Sequence, residues 1–427
     1  MWSFVWVLVF CIKVDSRASL VSPDQLPLRT SSRWIVDKNG HRVKWSCVNW
    51  SGAAEKDGVP GGLQHAFVRD IAQLIAEWGF NCVRIPWSVW MVHSNHVISD
   101  AALLSANMEL VGKTTLSILD VVVSACVDER LMVVLDNHMS DGDWCCSETD
   151  ENGLWYNTRW SESQWIDSHV TLAKRYQNQP YVVGVELRNE LRGATVNGTL
   201  VKPMWGTGGD KADWRAAALR AGDALLAVRP EGLLIIVDGP DYSTDFTGVV
   251  QHPIKLSVPH RLVYSTHDYS WSQPSMTKEQ LHAHLDSRWG YLLEEGKPYT
   301  APIWVSEFGE YHDGRNFKHG WWPDFLAYME AKDVDFAYWR CDGTESRGTS
   351  RVFGDEAGFG IMNMSWNGAA NGGILLQALQ LLQGATLGPH VDSLRSGNIV
   401  VNEAHVERFG HHEARPPDME SAAISKG

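Results

Sequence analysis

Eight short apolar runs, each rich in strand-forming residues, recur along the 427-residue chain, and most are followed by an amphipathic helical stretch. Near-continuous apolar strands that alternate with helices are typical of a parallel sheet covered by helices on both faces. Eight such units in one domain predict an α/β fold, a (β/α)8 TIM barrel. The runs begin at Lys44, Asn81, Leu131, Tyr181, Leu233, Leu262, Pro302 and Asp335.

The helical stretches complete these units, with one exception. The segment between the fifth and sixth runs is short and rich in proline, and it predicts no clear helix. Ahead of the first run, the stretch RWIVDKNGHRVKW predicts an N-terminal β-hairpin with Asn39-Gly40 as its turn. Helices are predicted over residues 67–78, 114–127, 162–176, 211–228, 278–294, 322–331 and 373–383.

The two ends of the chain differ from the repeating part. Residues 2–12 are almost wholly apolar but too few to span a bilayer, and small residues around Ala18 follow, so we predict a signal peptide over residues 1–18. No Lys or Arg precedes the apolar run, and an uncleaved anchor is the alternative. Residues 386–427 are polar and predict a disordered tail. Residues 33–385 are left as one barrel domain without an internal repeat.

Composition indicates which kinds of molecule the protein binds. Acidic residues outnumber basic ones by 51 to 37, and a net charge of −14 argues against nucleic acid, because phosphate binding needs a basic face. The 21 tryptophans favour carbohydrate instead. An indole offers a flat apolar face to the C–H face of a sugar and an N–H group to donate.

Cysteine usage is compatible with secretion. Six of the seven cysteines remain if Cys11 leaves with the signal peptide, and the sequence does not choose among their pairings. We predict one or two disulfides and some buried free thiols. The adjacent Cys145-Cys146 lacks the usual two-residue gap between zinc ligands, and we predict neither a metal ion nor a cofactor.

Three Asn-x-Ser/Thr sequons occur, at Asn49, Asn197 and Asn363. Asn197 lies in a polar loop and is the most plausible glycan acceptor. Asn49 ends the first predicted strand, so we expect its side chain to be buried near the barrel mouth and unmodified.

Polar and aromatic side chains stand at the carboxyl ends of six predicted strands. Barrel enzymes hold their chemistry at this face, where the strand ends meet around one mouth. A single charged residue at a strand end is usually just solvated, but solvation does not explain six such ends in one barrel. The series is Arg84 after strand two, Asn137 and His138 after strand three, Asn189 and Glu190 after strand four, His267 and Tyr269 after strand six, Glu307 at strand seven and Trp339 at strand eight.

Two members of the series, Glu190 and Glu307, are carboxyl groups, and a facing pair suits glycoside cleavage. One carboxyl must be protonated to release the leaving sugar's oxygen, and the other must be ionised to attack or to activate water. Burial or a neighbouring anion favours the first state, and cations or hydrogen bonds favour the second. Arg84 is the cation that could hold a carboxylate ionised, and Tyr269 could donate to the nucleophile.

Six segments resemble glycoside hydrolase family 5, the large cellulase family of retaining (β/α)8 enzymes. They are GFNCVRIPW, VVLDNH, GVELRNEL, VYSTHDY, IWVSEFG and FAYWRCDG, and the resemblance covers about residues 34–382. It implies that Glu190, after Asn189, is the acid/base and that Glu307 is the nucleophile. It also implies substrate-binding roles for Arg84, His138, Asn189, His267, Tyr269 and Trp339.

Local features refine this resemblance. DNH, WCCS and RNELR look like a plant and microbial cellulase-like branch. The chain departs from the commoner family pattern at Leu191, where proline usually follows the catalytic glutamate, and at Asn137, where tryptophan usually precedes the histidine.

The resemblance implies a secreted, retaining β-glycosidase, active as a monomer on β-linked glucan, mannan or a glucoside through a covalent glycosyl-enzyme. Neither nucleic acid nor stable membrane insertion after signal cleavage is expected. The alternatives are a carbohydrate-binding barrel without turnover and an exo-acting β-glucosidase or β-mannanase in place of an endoglucanase.

Other residues near the strand ends have plainer interpretations. Glu186 is expected to point into the barrel or to pair with Arg188, and Glu310 is expected to be a loop residue. Six tryptophans could either line sugar subsites or pack beneath loops: Trp87, Trp144, Trp155, Trp205, Trp271 and Trp366.

Overall fold

The computed structural model describes residues 19–384 except Pro274 and His319. Over these residues the chain forms a closed eight-stranded barrel and two small two-stranded sheets. In chain order the strands are β1 (Arg29–Ser31), β2 (Trp34–Val36), β3 (Ser46–Asn49), β4 (Cys82–Ser88), β5 (Met132–Met139), β6 (Val182–Glu186), β7 (Ala194–Val196), β8 (Thr199–Val201), β9 (Leu234–Asp238), β10 (Leu262–Asp268), β11 (Ile303–Phe308) and β12 (Asp335–Tyr338).

The barrel strands follow one another in chain order. They run β3, β4, β5, β6, β9, β10, β11 and β12, and β12 closes the barrel by pairing with β3. Neighbouring strands are parallel throughout. Parallel neighbours need crossover connections, so the chain returns outside the barrel after each strand. The eight predicted runs are all barrel strands, and the predicted (β/α)8 fold is confirmed.

Helices fill most of these crossovers, close to where the sequence predicts them. The helix predicted over 211–228 begins at Trp214, because the Asp213 side chain accepts from the Ala216 N–H and caps it. The helix predicted over 278–294 ends earlier, at Arg288, and a short 3-10 helix follows. The α-helices are α1 (Val68–Glu77), α2 (Val89–Ser94), α3 (Thr115–Asp128), α4 (Glu162–Arg175), α5 (Trp214–Val228), α6 (Pro240–Ser243), α7 (Lys278–Arg288), α8 (Trp321–Lys332) and α9 (Ile374–Gln380).

The N-terminal hairpin is present, but its turn differs from the prediction. Strands β1 and β2 pair antiparallel around residues 32–33. The Asn39-Gly40 segment also reverses the chain, yet only the Val36–Arg42 bridge follows it. The reason is that an Asp37 side-chain oxygen accepts from two backbone N–H groups of this loop. These side-chain hydrogen bonds stabilise the loop where a regular hairpin would have backbone hydrogen bonds between two strands.

The barrel interior near the amino ends of the strands is apolar, and we call it the lower layer. At its centre Trp45 and Trp304 meet edge to face, with ring centroids 5.3 Å apart. Gly184 lets the Ile236 side chain pack closely beside this pair, because a Cβ at position 184 would lie 3.0 Å from the Ile236 Cδ1 atom. The lower layer comprises Trp45, Cys47, Cys82, Met132, Val134, Val183, Leu234, Ile236, Val263, Trp304 and Ala337.

The sequons differ in their access to solvent. Asn197 is exposed at the turn between β7 and β8. Asn49 is fully buried, as expected, and its amide donates to the backbone carbonyls of Ser306 and Tyr338. A glycan on Asn49 is therefore incompatible with the folded barrel, whereas one on Asn197 remains a prediction.

The predicted signal peptide (1–18) and polar tail (386–427) lie outside the described residues, and the domain boundaries stay predictions. Across the part of the chain that the structure covers, we find no helix with the length and apolar character to cross a membrane.

Candidate active site

A pocket of about 620 Å³ opens at the carboxyl ends of the barrel strands. Most predicted site residues lie near the carboxyl end of a barrel strand or in the loop that follows it. Arg84 is the exception: β4 continues to Ser88, so the prediction that strand two ends with Arg84 is wrong. Arg84 and Asn189 are buried and do not line the pocket, and their predicted roles in substrate binding stay predictions. The six that line the pocket are His138, Glu190, His267, Tyr269, Glu307 and Trp339.

Glu307 is held by two donors at the floor of the pocket. Glu307 is 4% exposed and lies near the end of β11. The Arg84 guanidinium donates to Glu307 Oε1 over 2.7 Å, and the Tyr269 hydroxyl donates to Oε2 over 3.1 Å. A cation and a hydroxyl donor both favour the ionised carboxylate.

Glu190 has a different environment. Burial raises the pKa of its carboxyl, in spite of the cations around it, chiefly Arg192. Its nearest titratable partner is the His267 ring, whose Nδ1 lies 2.9 Å from Glu190 Oε1. One oxygen of Glu190 and one of Glu307 lie within 4.8 Å of each other. The two carboxyl groups therefore face each other in different environments, since Glu307 accepts from Arg84 and Tyr269 whereas Glu190 faces the His267 ring.

Arg84 lies beneath Glu190 and Glu307 and contacts several buried side chains. Its Nε donates to Glu186 over 2.5 Å and its Nη2 to Asn189 over 2.8 Å. Burial alone would lower the pKa of Arg84, but the negative charges of Asp136, Glu186 and Glu307 raise it well above its usual value. Arg84 thus stays charged with its planar fork fully used, and it positions Glu307 and Asn189 from below.

Glu186 points into the barrel and pairs with Arg84, so the predicted alternative of a pair with Arg188 is wrong. The Arg188 guanidinium turns outward and donates to backbone carbonyls, among them those of Leu154 and His138. It ties together the loops that follow β5 and β6. Glu310 is a buried loop residue, as expected, and its side chain accepts from Tyr311 and Asn316.

His138 and Trp339 form one wall of the pocket. Their rings stack with centroids 5.3 Å apart and planes 8° apart. Burial lowers the pKa of His138 to about 3, so the ring is neutral. Its Nδ1 lies 2.7 Å from a carboxyl oxygen of Asp136 that also faces the Arg84 guanidinium over 3.1 Å, and an oxygen beside this cation is best placed to accept, so we assign the His138 proton to Nδ1. His138 is therefore fixed in orientation, with its other ring nitrogen 3.5 Å from the Asn189 amide.

Two of the six uncertain tryptophans, Trp144 and Trp271, line the pocket. Trp271 is 65% exposed and stacks on Tyr269, with ring centroids 4.3 Å apart. Trp144 packs against Trp339 with centroids 6.0 Å apart. The others belong to the packing: Trp87, Trp155 and Trp366 are fully buried, and Trp205 donates to the His252 carbonyl under a loop.

The pocket wall also contains residues that the sequence did not assign to the site. Cys145 and Cys146 form a disulfide with each other and line the pocket beside Glu190, 3.6 Å from its Oε2. The Arg351 guanidinium lies 3.1 Å from the centre of the Trp144 ring. The adjacency of two cysteines between Trp144 and a serine was the available signal. No feature of the sequence indicated Arg351, because it reaches the pocket from a loop that is distant along the chain.

The remaining cysteines agree with the prediction. Cys47 and Cys82 pair across β3 and β4, so the described residues contain two disulfides. Cys126 and Cys341 are buried free thiols, also as predicted.

Oxygen, nitrogen and sulfur atoms that could hold a metal ion come together at three places among the described residues, and each place includes a residue of this site. Two of them contain Glu307 or Glu186, which already bind the Arg84 guanidinium directly. The third relies on Cys145 and Cys146, whose sulfurs in a disulfide carry no negative charge. The donor chemistry therefore fits a paired-carboxylate site better than a metal centre.

Known proteins share this fold and much of this sequence. A family model described as cellulase (glycosyl hydrolase family 5) matches residues 36–345. An endoglucanase of Paenibacillus polymyxa is 31% identical over 329 residues, which cover 73% of this chain and 78% of that protein. A major extracellular endoglucanase of Xanthomonas campestris pv. campestris is 30% identical over 76% of this chain and 67% of its own length.

Solved structures agree with these matches. The catalytic domain of the major endoglucanase from Xanthomonas campestris pv. campestris superposes with a TM-score of 0.69 at 27% identity. The superposition covers 83% of this chain and 99% of that domain.

Proposed function

The chain belongs to glycosyl hydrolase family 5 and is a glycoside hydrolase, and from this premise we propose that it hydrolyses β-linked glucans with retention of configuration. The observation that carries the proposal is the facing pair of carboxyl groups, with oxygens of Glu190 and Glu307 within 4.8 Å. Retaining enzymes need carboxyl groups about 5–5.5 Å apart, whereas inverting enzymes leave room for water at roughly 6.5–9.5 Å.

Glu307 is the proposed nucleophile. It attacks the anomeric carbon and forms a covalent glycosyl-enzyme while the bond to the leaving oxygen breaks. Arg84 and Tyr269 support this role, because their donors at 2.7 and 3.1 Å bind both oxygens of the attacking carboxylate and fix its direction. Preorganised donors of this kind need no rearrangement during the reaction.

Glu190 is the proposed acid/base. Burial raises its pKa, which suits a group that must give a proton to the leaving oxygen. In the second step the ionised Glu190 takes a proton from water as that water attacks the anomeric carbon, and this returns the enzyme to its starting state.

Carbohydrate contacts are proposed on the aromatic walls. Trp339, stacked on His138, provides a flat face next to the two carboxyl groups. Trp271 and Trp144 extend apolar faces away from this centre on the pocket wall. The relatives named endoglucanases favour a polymeric β-glucan cleaved internally. Exo action on a glucoside or mannoside is the second candidate.

Secretion is part of the same proposal. One relative is named a major extracellular endoglucanase, and the two disulfides in the described residues suit an oxidising compartment.

The test is reaction of purified protein with an activated 2-deoxy-2-fluoro-β-glucoside, followed by mass spectrometry of peptides. We expect one fluoroglucosyl group on the peptide that contains Glu307. The Glu307→Gln variant is the control and should remain unlabelled. Absence of label, together with tight binding of oligosaccharide, would support the carbohydrate-binding barrel without turnover.

A product analysis separates the modes of action. Chromatography of products from soluble mixed-linkage glucan, mannan and aryl β-glucosides should show internal cleavage of the glucan. Release of single sugars from chain ends would favour the exo-acting alternative.

A further inference from the structure

Two serine hydroxyls link His267 to Glu186 inside the barrel. His267 Nε2 lies 2.9 Å from Ser306 Oγ. Ser306 Oγ lies 2.5 Å from Ser265 Oγ, which in turn lies 2.8 Å from Glu186 Oε1. The other ring nitrogen of His267, Nδ1, faces Glu190 Oε1 at 2.9 Å. A continuous series of short polar contacts therefore runs from a buried carboxylate to the proposed acid/base.

The direction of this series follows from counting protons. The series has three shorter contacts, from Nε2 to Ser306, from Ser306 to Ser265 and from Ser265 to Glu186, and a longer one of 3.2 Å from Ser306 Oγ to Glu186 Oε1. The three shorter contacts need three hydrogens, and the two hydroxyls supply only two. If His267 Nε2 carries a proton, it donates to Ser306, the Ser306 hydroxyl points on to Ser265 or directly to Glu186, and the three shorter contacts can each have a hydrogen. If Nε2 is bare, Ser306 must donate to it, and one short contact is left between two lone pairs.

Glu186 sets the end of the series. Its Oε2 accepts from Arg84 Nε over 2.5 Å, and both groups are fully buried. A carboxylate paired with a guanidinium only accepts, so the hydroxyl of Ser265 must point toward it. Each hydrogen bond in the series is thus donated in the direction from His267 toward Glu186.

We propose that Glu186, Ser265 and Ser306 are positioning residues that hold His267 with its proton on Nε2, so that its bare Nδ1 accepts the proton of Glu190. The inference rests on the proposed role of Glu190 as acid/base. A hydrogen bond that only the protonated carboxyl can donate stabilises the protonated form. Glu190 therefore keeps its proton until substrate binds.

Two electrostatic effects agree with this geometry. Burial lowers the pKa of His267 to about 4, so the ring is neutral and has one bare nitrogen. Burial also raises the pKa of Glu190. The charged or titratable groups that face these two side chains include Arg84, Asp136, His138, Glu186, Arg188, Arg192, Asp238, Tyr242, Tyr269 and Glu307.

The arrangement assists both steps of the reaction. In the first step the Glu190 proton passes to the leaving oxygen as the glycosidic bond breaks. The carboxylate that remains then faces the Nδ1 lone pair, which is unfavourable. Proton transfer from the attacking water to Glu190 removes that repulsion in the second step, and the protons on His267 and the serines stay in place throughout.

Nitrogen-15 NMR of histidine-labelled protein tests the assignment directly. We expect the His267 ring to show a protonated Nε2 and a bare Nδ1, with the signals assigned by comparison with a His267→Gln variant. A proton on Nδ1 would overturn the proposal. This measurement needs no turnover, so it remains decisive even if the proposed glycosidase activity is not found.

The Ser306→Ala variant tests the consequence for Glu190. Without the Ser306 acceptor, His267 can move its proton to Nδ1 and donate to the Glu190 carboxylate, which favours ionisation. The basic limb of the pH profile of kcat/KM should move down by about 1 pH unit for a substrate with a poor leaving group. An activated aryl glycoside, which hardly needs the acid, should show little of this shift.

Two further variants keep this test specific. Ser46→Ala removes a fully buried hydroxyl from another barrel strand, one that has no hydrogen-bond partner within residues 19–384 as described, and should leave the pH profile unchanged. Ser306→Thr restores a hydroxyl and should recover the basic limb. If Ser306→Ala behaves like Ser46→Ala, the serines do not act on Glu190 and the proposal fails.

Discussion

The same eight strands enclose two different interiors. The lower layer is apolar, with the Trp45–Trp304 pair at its centre. Towards the carboxyl ends of the strands the interior is polar, and we call this part the upper layer: Arg84, Asp136, Glu186, Asp238, His267 and Glu307. In the upper layer one guanidinium faces several carboxyl groups, and one buried oxygen of Asp238 has no hydrogen-bond partner among the residues that the structure describes.

The contrast indicates that the two ends of each strand serve different purposes, one stability and the other chemistry. Apolar burial favours folding by about 25 cal/mol for each Å² removed from water. A buried ion pair often contributes no more than well-packed apolar side chains would, because both charges lose their hydration. The upper layer is thus explained by chemistry and the lower layer by stability, and the following variants test that separation.

The largest effect is expected for Glu307→Gln in the upper layer. Loss of the nucleophile should lower kcat/KM on soluble β-glucan by roughly 10⁴-fold or more, because no other group forms the glycosyl-enzyme. The matched control is Glu310→Gln, a buried carboxyl three residues away that does not line the pocket. Activity of Glu307→Gln above roughly 1% of the parent would contradict its role as nucleophile.

The lower layer should respond in the opposite way. Trp304→Ala removes a fully buried ring and should lower the free energy of unfolding by about 3–5 kcal/mol, as measured by urea denaturation. The kcat of the molecules that remain folded should stay near that of the parent. A selective loss of kcat with unchanged stability would show that the two layers are not separate.

Arg84→Lys should have an intermediate effect. Lysine keeps the charge but lacks the planar fork that joins Glu186, Asn189 and Glu307, so kcat/KM should fall by about 10- to 100-fold. We also expect activity at the acidic end of the pH range to fall off sooner. Arg229→Lys is the control, since that buried guanidinium binds only carbonyls of Tyr176 and Gln179 in the contacts we observe. Full activity of Arg84→Lys across the pH range would make Arg84 a purely structural residue.

The smallest effect concerns the pH dependence of stability. Burial raises the pKa of Glu55, in the loop after β3, to about 7. The folded protein therefore holds a proton on this carboxyl that the unfolded chain releases near pH 4.3, so the stability from this group is lost as pH rises from about 4 to about 7. Glu55→Gln should make the decline of the urea midpoint across this range shallower. A slope equal to that of the parent would mean that Glu55 is ionised in the folded protein.

Much of this architecture follows from local patterns. The strands are apolar on both faces because each is covered by helices outside and by other strands inside, and that pattern is visible in the sequence. The placement of Glu190 and Glu307 at one mouth follows from strand polarity alone. The fold and the composition of the pocket centre could therefore be predicted.

What could not be predicted depends on contacts between distant parts of the chain. Whether Arg84 touches substrate or lies beneath it depends on the depth of the pocket floor, which no local pattern encodes. Glu186 pairs with Arg84, 102 positions away, in preference to its neighbour Arg188. Arg351 reaches the pocket from a loop late in the chain. Which tryptophans line the pocket was undecidable for the same reason.

The exposure of Trp271 has a practical consequence. Its indole lies 65% open to water at the pocket mouth, while Trp87, Trp155 and Trp366 are fully buried. An oligosaccharide that covers the Trp271 ring would exclude water from it, and the emission of that ring would move to shorter wavelength while the buried rings stay constant. The fluorescence of Trp271 should therefore report ligand binding in a single titration, even in a variant that lacks the Glu307 carboxylate.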